Sequence, residues 1–311
     1  MPLLGAVVQL PHSQTQCQTH SPGLLLTHSQ GEKKLNTKPG FFGGLLGSSG
    51  AHYEDAADFF TQAANQYKLR KQGKNAGQAF EKAAQAQIKA DYKDEAANTL
   101  VDAFKAYRQE DPASAARCLE QAIDFFTARG QFRRAANFKM DLGGLYEEEL
   151  MDLPKAVQSY QDAGDWFESD SAQALSNKAF LKCADLTALE GNYSAAAATY
   201  KKVVAASASN NLSRWSLKDY FVKVVLCYLA GDDRVAAMNY LQEAQGIDQS
   251  FTTTKEYKLL QDVTEAVNDG DSEKLANSVF EFDQFSKLDK WKTTMLLKIK
   301  TSITEAEDDL L

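Results

Sequence analysis

The sequence predicts an all-α protein: a tetratricopeptide-like stack of antiparallel helical hairpins forming a twisted sheet, followed by a C-terminal helical bundle. Three observations predict it. Only six of the 311 residues are proline and alanine dominates the middle of the chain, so helices run uninterrupted. From Tyr53 onward, bulky residues recur every three or four positions between short turns, the signature of helices with one buried face. Alanine-bearing helix starts also return at Tyr53–Ala56, Asn75–Ala76, Tyr92–Ala96, Pro112–Ala115, Gln131–Ala135, Leu153–Ala156 and Tyr193–Ala195. That spacing is roughly 20 residues per helix and 40 per pair, longer than the tetratricopeptide unit of about 34.

Four segments follow in chain order. Residues 1–36 are expected to be disordered, because residues 1–31 contain no Asp, Glu, Lys or Arg although 24% of the chain is charged. They lack the basic flank of a signal peptide and the arginines of a transit peptide. They hold His12, His20 and His28, which are read as solvated side chains in a Ser/Thr/Gln tract. Residues 37–52 form a glycine-rich loop, and residues 53–214 the hairpin repeats. In the repeats Phe59, Phe60, Tyr67, Phe80, Phe104, Tyr107, Phe125, Phe126, Tyr160, Trp166 and Phe167 fill the space between alanine-lined helices. The rhythm loosens near Asn210, and residues 215–311 are read as a compact bundle. Its last helix carries Leu288, Trp291, Met295, Ile299 and Ile303 at intervals of three and four, a face that must dock.

Composition removes several classes of function. With 42 acidic against 34 basic residues the net charge is −8, which argues against broad nucleic-acid binding and confines basic surface to local patches. Cys17, Cys118, Cys183 and Cys227 lie far apart with no CxxC pair, so neither a zinc site nor a disulfide framework is indicated. His52 is the only histidine after residue 36 and no Ser or Cys has an evident partner, so an enzyme is not expected. The Gly40–Gly47 stretch lacks the Lys-Ser/Thr of a phosphate-binding loop. No cofactor or metal is implied. No apolar run reaches the roughly 20 residues of a membrane-spanning helix, and the chain reads as soluble.

Three features remain to carry binding. The chain closes on Glu305-Ala-Glu307-Asp308-Asp309-Leu310-Leu311, either a docking peptide that combines charge with an apolar plug or a solubilising end. Phe41, Phe42, Leu45 and Leu46 stand among glycines, either folded back on the first hairpin or presented to a membrane surface. Basic residues cluster at Arg129, Arg133, Arg134 and Lys139, at Lys178 and Lys182, and at Lys218 and Lys223. They form either one strip facing an acidic, elongated partner or an ordinary solvated face. Without more, the chain is equally a general peptide-binding scaffold.

Several ordered motifs narrow the choice: Arg129-Gly-Gln-Phe-Arg-Arg-Ala-Ala-Asn-Phe-Lys139, Ala174-Leu-Ser-Asn-Lys-Ala-Phe-Leu-Lys-Cys-Ala-Asp185, Trp215-Ser-Leu-Lys-Asp-Tyr-Phe221, Leu288-Asp-Lys-Trp291 and Glu307-Asp-Asp-Leu-Leu311. From about residue 37 to the end the chain resembles the alpha-type soluble NSF attachment proteins, in a fungal-like version. The resemblance implies an adaptor that coats assembled SNARE four-helix bundles, of syntaxin-type and other SNAREs, and recruits the hexameric NSF-type AAA ATPase that disassembles them. It implies SNARE contact by Arg133, Arg134, Lys139, Lys178, Lys182, Lys218 and Lys223, with Asn137 standing where animal relatives carry lysine. It implies ATPase contact by Glu305, Glu307, Asp308, Asp309 and Leu310, and membrane contact by Phe41, Phe42, Leu45 and Leu46. The implied location is cytoplasmic, peripheral on the cytosolic face of membranes including vacuole, Golgi and ER. Relatives begin with a short charged helix that only Glu32–Leu35 matches here, so residues 1–31 are read as an unusual start exon or a mis-assigned start.

Overall fold

A computed structural model describes residues 22–36, 50–209 and 214–308. They form fourteen α-helices, α1 (Pro22–Leu35), α2 (Ala51–Leu69), α3 (Gly73–Lys89), α4 (Lys93–Tyr107), α5 (Pro112–Ala128), α6 (Phe132–Glu148), α7 (Leu153–Ser169), α8 (Gln173–Leu189), α9 (Tyr193–Ala208), α10 (Leu217–Ala230), α11 (Arg234–Ile247), α12 (Lys255–Asp269), α13 (Ser272–Phe285) and α14 (Lys290–Asp308). Two short 3₁₀ turns, Arg214–Ser216 and Gln249–Thr253, join the later helices. The all-helical, hairpin-paired prediction holds.

Helix ends follow local chemistry. Asp111, Asp152, Asn192, Asp233, Thr254 and Asp271 accept hydrogen bonds from backbone N–H groups in the first turns of α5, α7, α9, α11, α12 and α13, satisfying donors the helix leaves open. Pro112 and Pro154 sit in first turns, where their missing N–H costs nothing. Seven turns share one geometry, with the left-handed residue at Lys71, Asp91, Gly130, Ser171, Gly191, Asp232 or Gly270. In each, the next N–H bonds back to a carbonyl five residues earlier, as Gln72 does to Tyr67 and Asn192 to Thr187. This short, repeated reversal makes successive helices antiparallel.

The chain divides into two compact units, residues 1–106 and 107–311. In the first, α1 lies on α2, so residues 22–35 are helical and not disordered. Buried Gly31 meets the Phe60 ring so closely that a Cβ there would stand 2.9 Å from it. His28 sits edge-on to that ring at 5.5 Å, with its pKa lowered by burial and by Lys82, so it is a partly buried side chain and not a fully solvated one. Lys34 pairs with Asp55 at 2.6 Å, and Lys82 with Glu32. The charge-free stretch concealed a helix that docks by a glycine notch and by Leu35, which packs on the Ala56, Ala57 and Phe60 cluster.

In the second unit α5 to α10 pack in sequence, each on the next. Their contact faces are small against large. Gly143 faces the Tyr160 ring and Gly164 the Phe180 ring, where an added Cβ would stand 2.7 and 2.5 Å away. α10 buries Leu217, Phe221, Val222, Val224, Val225, Leu226, Cys227 and Leu229 and packs on α9, α11, α12 and α14. An apolar core therefore runs unbroken from Ala184 to Ile303, across the loosened rhythm near Asn210. On α14, Trp291, Met295, Leu296, Ile299 and Ile303 are buried, as the stripe predicts.

Among the described residues Cys118, Cys183 and Cys227 are buried thiols outside any disulfide, and burial pushes the Cys227 thiol up to about 12. No helix there is long and apolar enough to cross a membrane. Gly164→Ala is expected to cost about 1–3 kcal/mol through overpacking against Phe180; urea unfolding measures it, and a wild-type midpoint would contradict the close approach.

Candidate functional site

Most of the sequence-predicted basic residues lie on α6, α8 and α10 of the second unit, and the structure gives them unequal roles. Lys182 on α8 donates to both oxygens of Glu147 on α6, at 3.0 and 3.1 Å. The hydroxyl of Tyr160, on the intervening α7, donates to the same carboxylate at 2.7 Å. About 40 residues on the motif returns: Lys223 on α10 and the Tyr200 hydroxyl on α9 both donate to Asp185 on α8. In each triad a carboxylate on one helix gathers a tyrosine from the next and a lysine from the one after. Burial and the neighbouring carboxylate hold both phenols far above the usual tyrosine range.

Lys139 on α6 makes a shorter link, donating to Asp162 on α7 at 2.7 Å with its ammonium 5.8 Å from the Trp166 centroid. Lys202 on α9, absent from the sequence-based set, continues the series through Glu168 at 2.8 Å and the Phe180 face at 4.0 Å. Its only sequence signal is the repeat itself, which places a lysine after an aromatic helix pair. Lys218 joins α10 to α12 through Glu256 at 2.6 Å. These lysines are struts first, tying helices whose apolar faces already meet.

Exposure separates them. Lys178 is exposed and makes no ion pair among the described residues, one turn before Lys182 on the same face of α8. The Lys182 side chain keeps 42% of its surface in water despite its pair. That of Lys223 keeps only 10%, and its ammonium lies 4.7 Å from the Trp291 centroid. Arg133 pairs with Asp170 at 3.0 Å, while Arg134 stacks on Phe126 at 4.1 Å. Both line an open cleft of about 630 Å³ with Phe132, Asn137 and Trp166. The Asn137 amide donates to the Arg133 carbonyl at 2.9 Å, so it serves its own helix.

The acidic end continues α14 to Asp308, with Glu305 exposed and Ile303 buried just before it. The side chains of Glu307 and Asp308, and Asp309 and Leu310 altogether, lie outside the described residues, as do Phe41, Phe42, Leu45 and Leu46. Among the described residues no group of His, Cys, Asp and Glu is arranged to hold a metal.

The family model described as "Soluble NSF attachment protein, SNAP" matches residues 26–304, which takes in most of α1 and most of α14. The chain belongs to the soluble NSF attachment protein family. It is 52% identical over 279 residues to the Schizosaccharomyces pombe "Probable vesicular-fusion protein sec17 homolog", covering 90% of this chain and 96% of that one. It is 50% identical over 281 residues to the Saccharomyces cerevisiae "Alpha-soluble NSF attachment protein", with the same coverage. The Homo sapiens protein of that description is 35% identical over 282 residues, covering 91% and 95%. SNAP proteins are adaptors, which bears out the non-enzymatic reading.

The two triads also fix an energetic expectation. Lys223→Ala leaves the Asp185 carboxylate, 28% exposed and still bonded by the Tyr200 hydroxyl, without its cation, and losing one partner of such a half-buried pair costs about 1–3 kcal/mol. Urea unfolding of Lys223→Ala beside Lys178→Ala should show a large loss for the first and less than about 0.5 kcal/mol for the second.

Proposed function

We propose that this chain is an adaptor that lays the α6–α8 face on an assembled SNARE four-helix bundle, and offers its acidic end to an NSF-type hexameric ATPase. The observation that carries this is family-level identity of about half to the yeast proteins over nine-tenths of the chain. The arrangement of cations supports it. Lys178 is the cation on α8 most open to a partner, with Lys182, Lys139, Arg133, Arg134 and Lys218 contributing the part of their charge that their own carboxylates leave unneutralised. We assign Lys223 to the scaffold more than to the contact, because only 10% of its side chain is exposed.

A face of this kind binds by accumulation. Each exposed ion pair contributes only about 0–1 kcal/mol, so the complex is reversible and salt-sensitive, with screening over roughly 8–10 Å near physiological ionic strength. The tail works in the same range: Glu305, Glu307, Asp308 and Asp309 supply steering, and burial of Leu310 supplies about 1.5–3 kcal/mol. Phe41, Phe42, Leu45 and Leu46 are assigned to a membrane surface on the resemblance alone, enough apolar area for peripheral attachment. The corresponding location is the cytosolic face of fusing membranes.

Lys178→Glu is expected to weaken binding to a soluble SNARE bundle about fivefold at low salt, with the difference shrinking at high salt; equal affinities at low salt in a pull-down or interferometry assay would remove α8 from the contact. Leu310→Ala is expected to leave SNARE binding within about twofold while lowering stimulation of ATP hydrolysis by the partner ATPase about tenfold, as burial of one leucine allows. Undiminished stimulation would refute the tail assignment.

A further inference from the structure

Trp291, the second residue of α14, is held from three other helices at once. Its Nε1–H donates to the backbone carbonyl of Asp185 on α8 at 3.0 Å, linking positions 106 residues apart. Its ring stands edge-on to Tyr200 of α9 at 5.9 Å between centroids, and the Lys223 ammonium of α10 lies over it. The socket is tied to itself, because Tyr200 and Lys223 both donate to the Asp185 carboxylate. The next residue, Lys292, binds Asp219 of α10 and Asp289.

The two helices joined here serve different surfaces. α8 carries Lys178, Lys182 and Asp185 at i, i+4 and i+7, one face of the helix. α14 runs unbroken from Lys290 to Asp308, about 28 Å at 1.5 Å per residue, and leads into the acidic end. α14 is packed on the core as far as Ile303, and apolar packing tolerates small rotations that a directional bond does not: a tilt of about 10° at Trp291 would move the far end by about 5 Å, more than the reach of a hydrogen bond or ion pair.

We propose that Trp291 is a positioning residue: through its bond to Asp185 it sets the angle of α14 on α8, and hence where the acidic end stands relative to the Lys178 face. This rests on the function proposed above, in which those surfaces meet different partners. The indole does not touch either partner. It acts by making the α8 face and the tail helix move as one piece, so that an ATPase docked on the tail is held in a fixed direction to the SNARE bundle. The apolar stripe of Met295, Leu296, Ile299 and Ile303 supplies adhesion, while the directional bond to a named carbonyl supplies the angle.

The test uses Trp291→Phe, which keeps a ring beneath Lys223 and against Tyr200 but deletes the N–H donor. Nitroxide labels are placed on the exposed sites 173 and 301 through Gln173→Cys and Thr301→Cys in a full-length Cys17→Ser background, where Cys118, Cys183 and Cys227 are buried. Pulsed electron resonance should give a narrow 173–301 distance distribution for the parent and a broader one for Trp291→Phe. SNARE binding should stay within about twofold while stimulation of the partner ATPase falls about fivefold, the worth of one hydrogen bond. Unchanged distances, or SNARE binding and melting temperature falling in step with stimulation, would overturn the proposal and leave Trp291 as ordinary core. If Trp291→Phe does not fold, a benzothienylalanine at position 291, which keeps the bicyclic ring but replaces the N–H donor to the Asp185 carbonyl with sulfur, is read by the same criteria. Leu310→Ala run in parallel separates the two ideas. If it leaves stimulation intact the tail assignment fails, while the distance measurement still decides whether Trp291 sets the angle.

Discussion

Two successive interfaces of the second unit, α6–α7 and α7–α8, close until glycine is required at the contact: at Gly143 and Gly164 even a methyl group would strike the Tyr160 or Phe180 ring. The rest of the protein follows from that constraint. At such short separation the long side chains at the edges of the apolar faces reach past the neighbouring helix to the one beyond, which is how Lys182 on α8 meets Glu147 on α6 and Lys223 on α10 meets Asp185 on α8. Polar struts at this spacing are a product of tight packing, and they in turn hold the helices in register.

The same geometry decides how much charge the surface has to offer. A lysine whose ammonium already rests on a carboxylate and a ring face presents a dipole more than a free cation, and its attraction for a distant partner is reduced accordingly. The basic strip is thus graded, from Lys178, open to water, through half-exposed Lys182 to Lys223, which is sealed beneath α14. Few full charges on an otherwise acidic chain suit the reversible contact proposed for this face.

Much of this architecture was legible in the residues. Every three-or-four spacing that marked a helix produced one, and the stripe on α14 faced inward as read. What could not be read were interactions between distant positions. The burial of Lys223 depends on Trp291 arriving from another helix, and the core shared by the helices on either side of Asn210 depends on α10 being buried continuously from Phe221 to Cys227, which a rhythm measured along the chain does not register. α1 escaped because its docking uses the missing side chain of Gly31 and the partly buried His28, neither of which has a periodic signature. The repeated reversal was hidden as well, since Lys71, Asp91, Ser171 and Asp232 take the left-handed conformation that glycine usually marks. The candidate contacts became readable only through whole-chain resemblance, because a lysine in a strut and a lysine on a binding face look alike in sequence.

The struts also change what a charge-reversal experiment means. A glutamate at 182 would be set against Glu147 and one at 223 against Asp185, so either variant carries an internal repulsion before any partner arrives. Lost binding from such a variant mixes two causes, a damaged scaffold and a missing contact. Restoring the scaffold alone, by reversing the facing acid as well, separates them. Lys178 needs no such companion change, and a phenotype at that position is a statement about the partner.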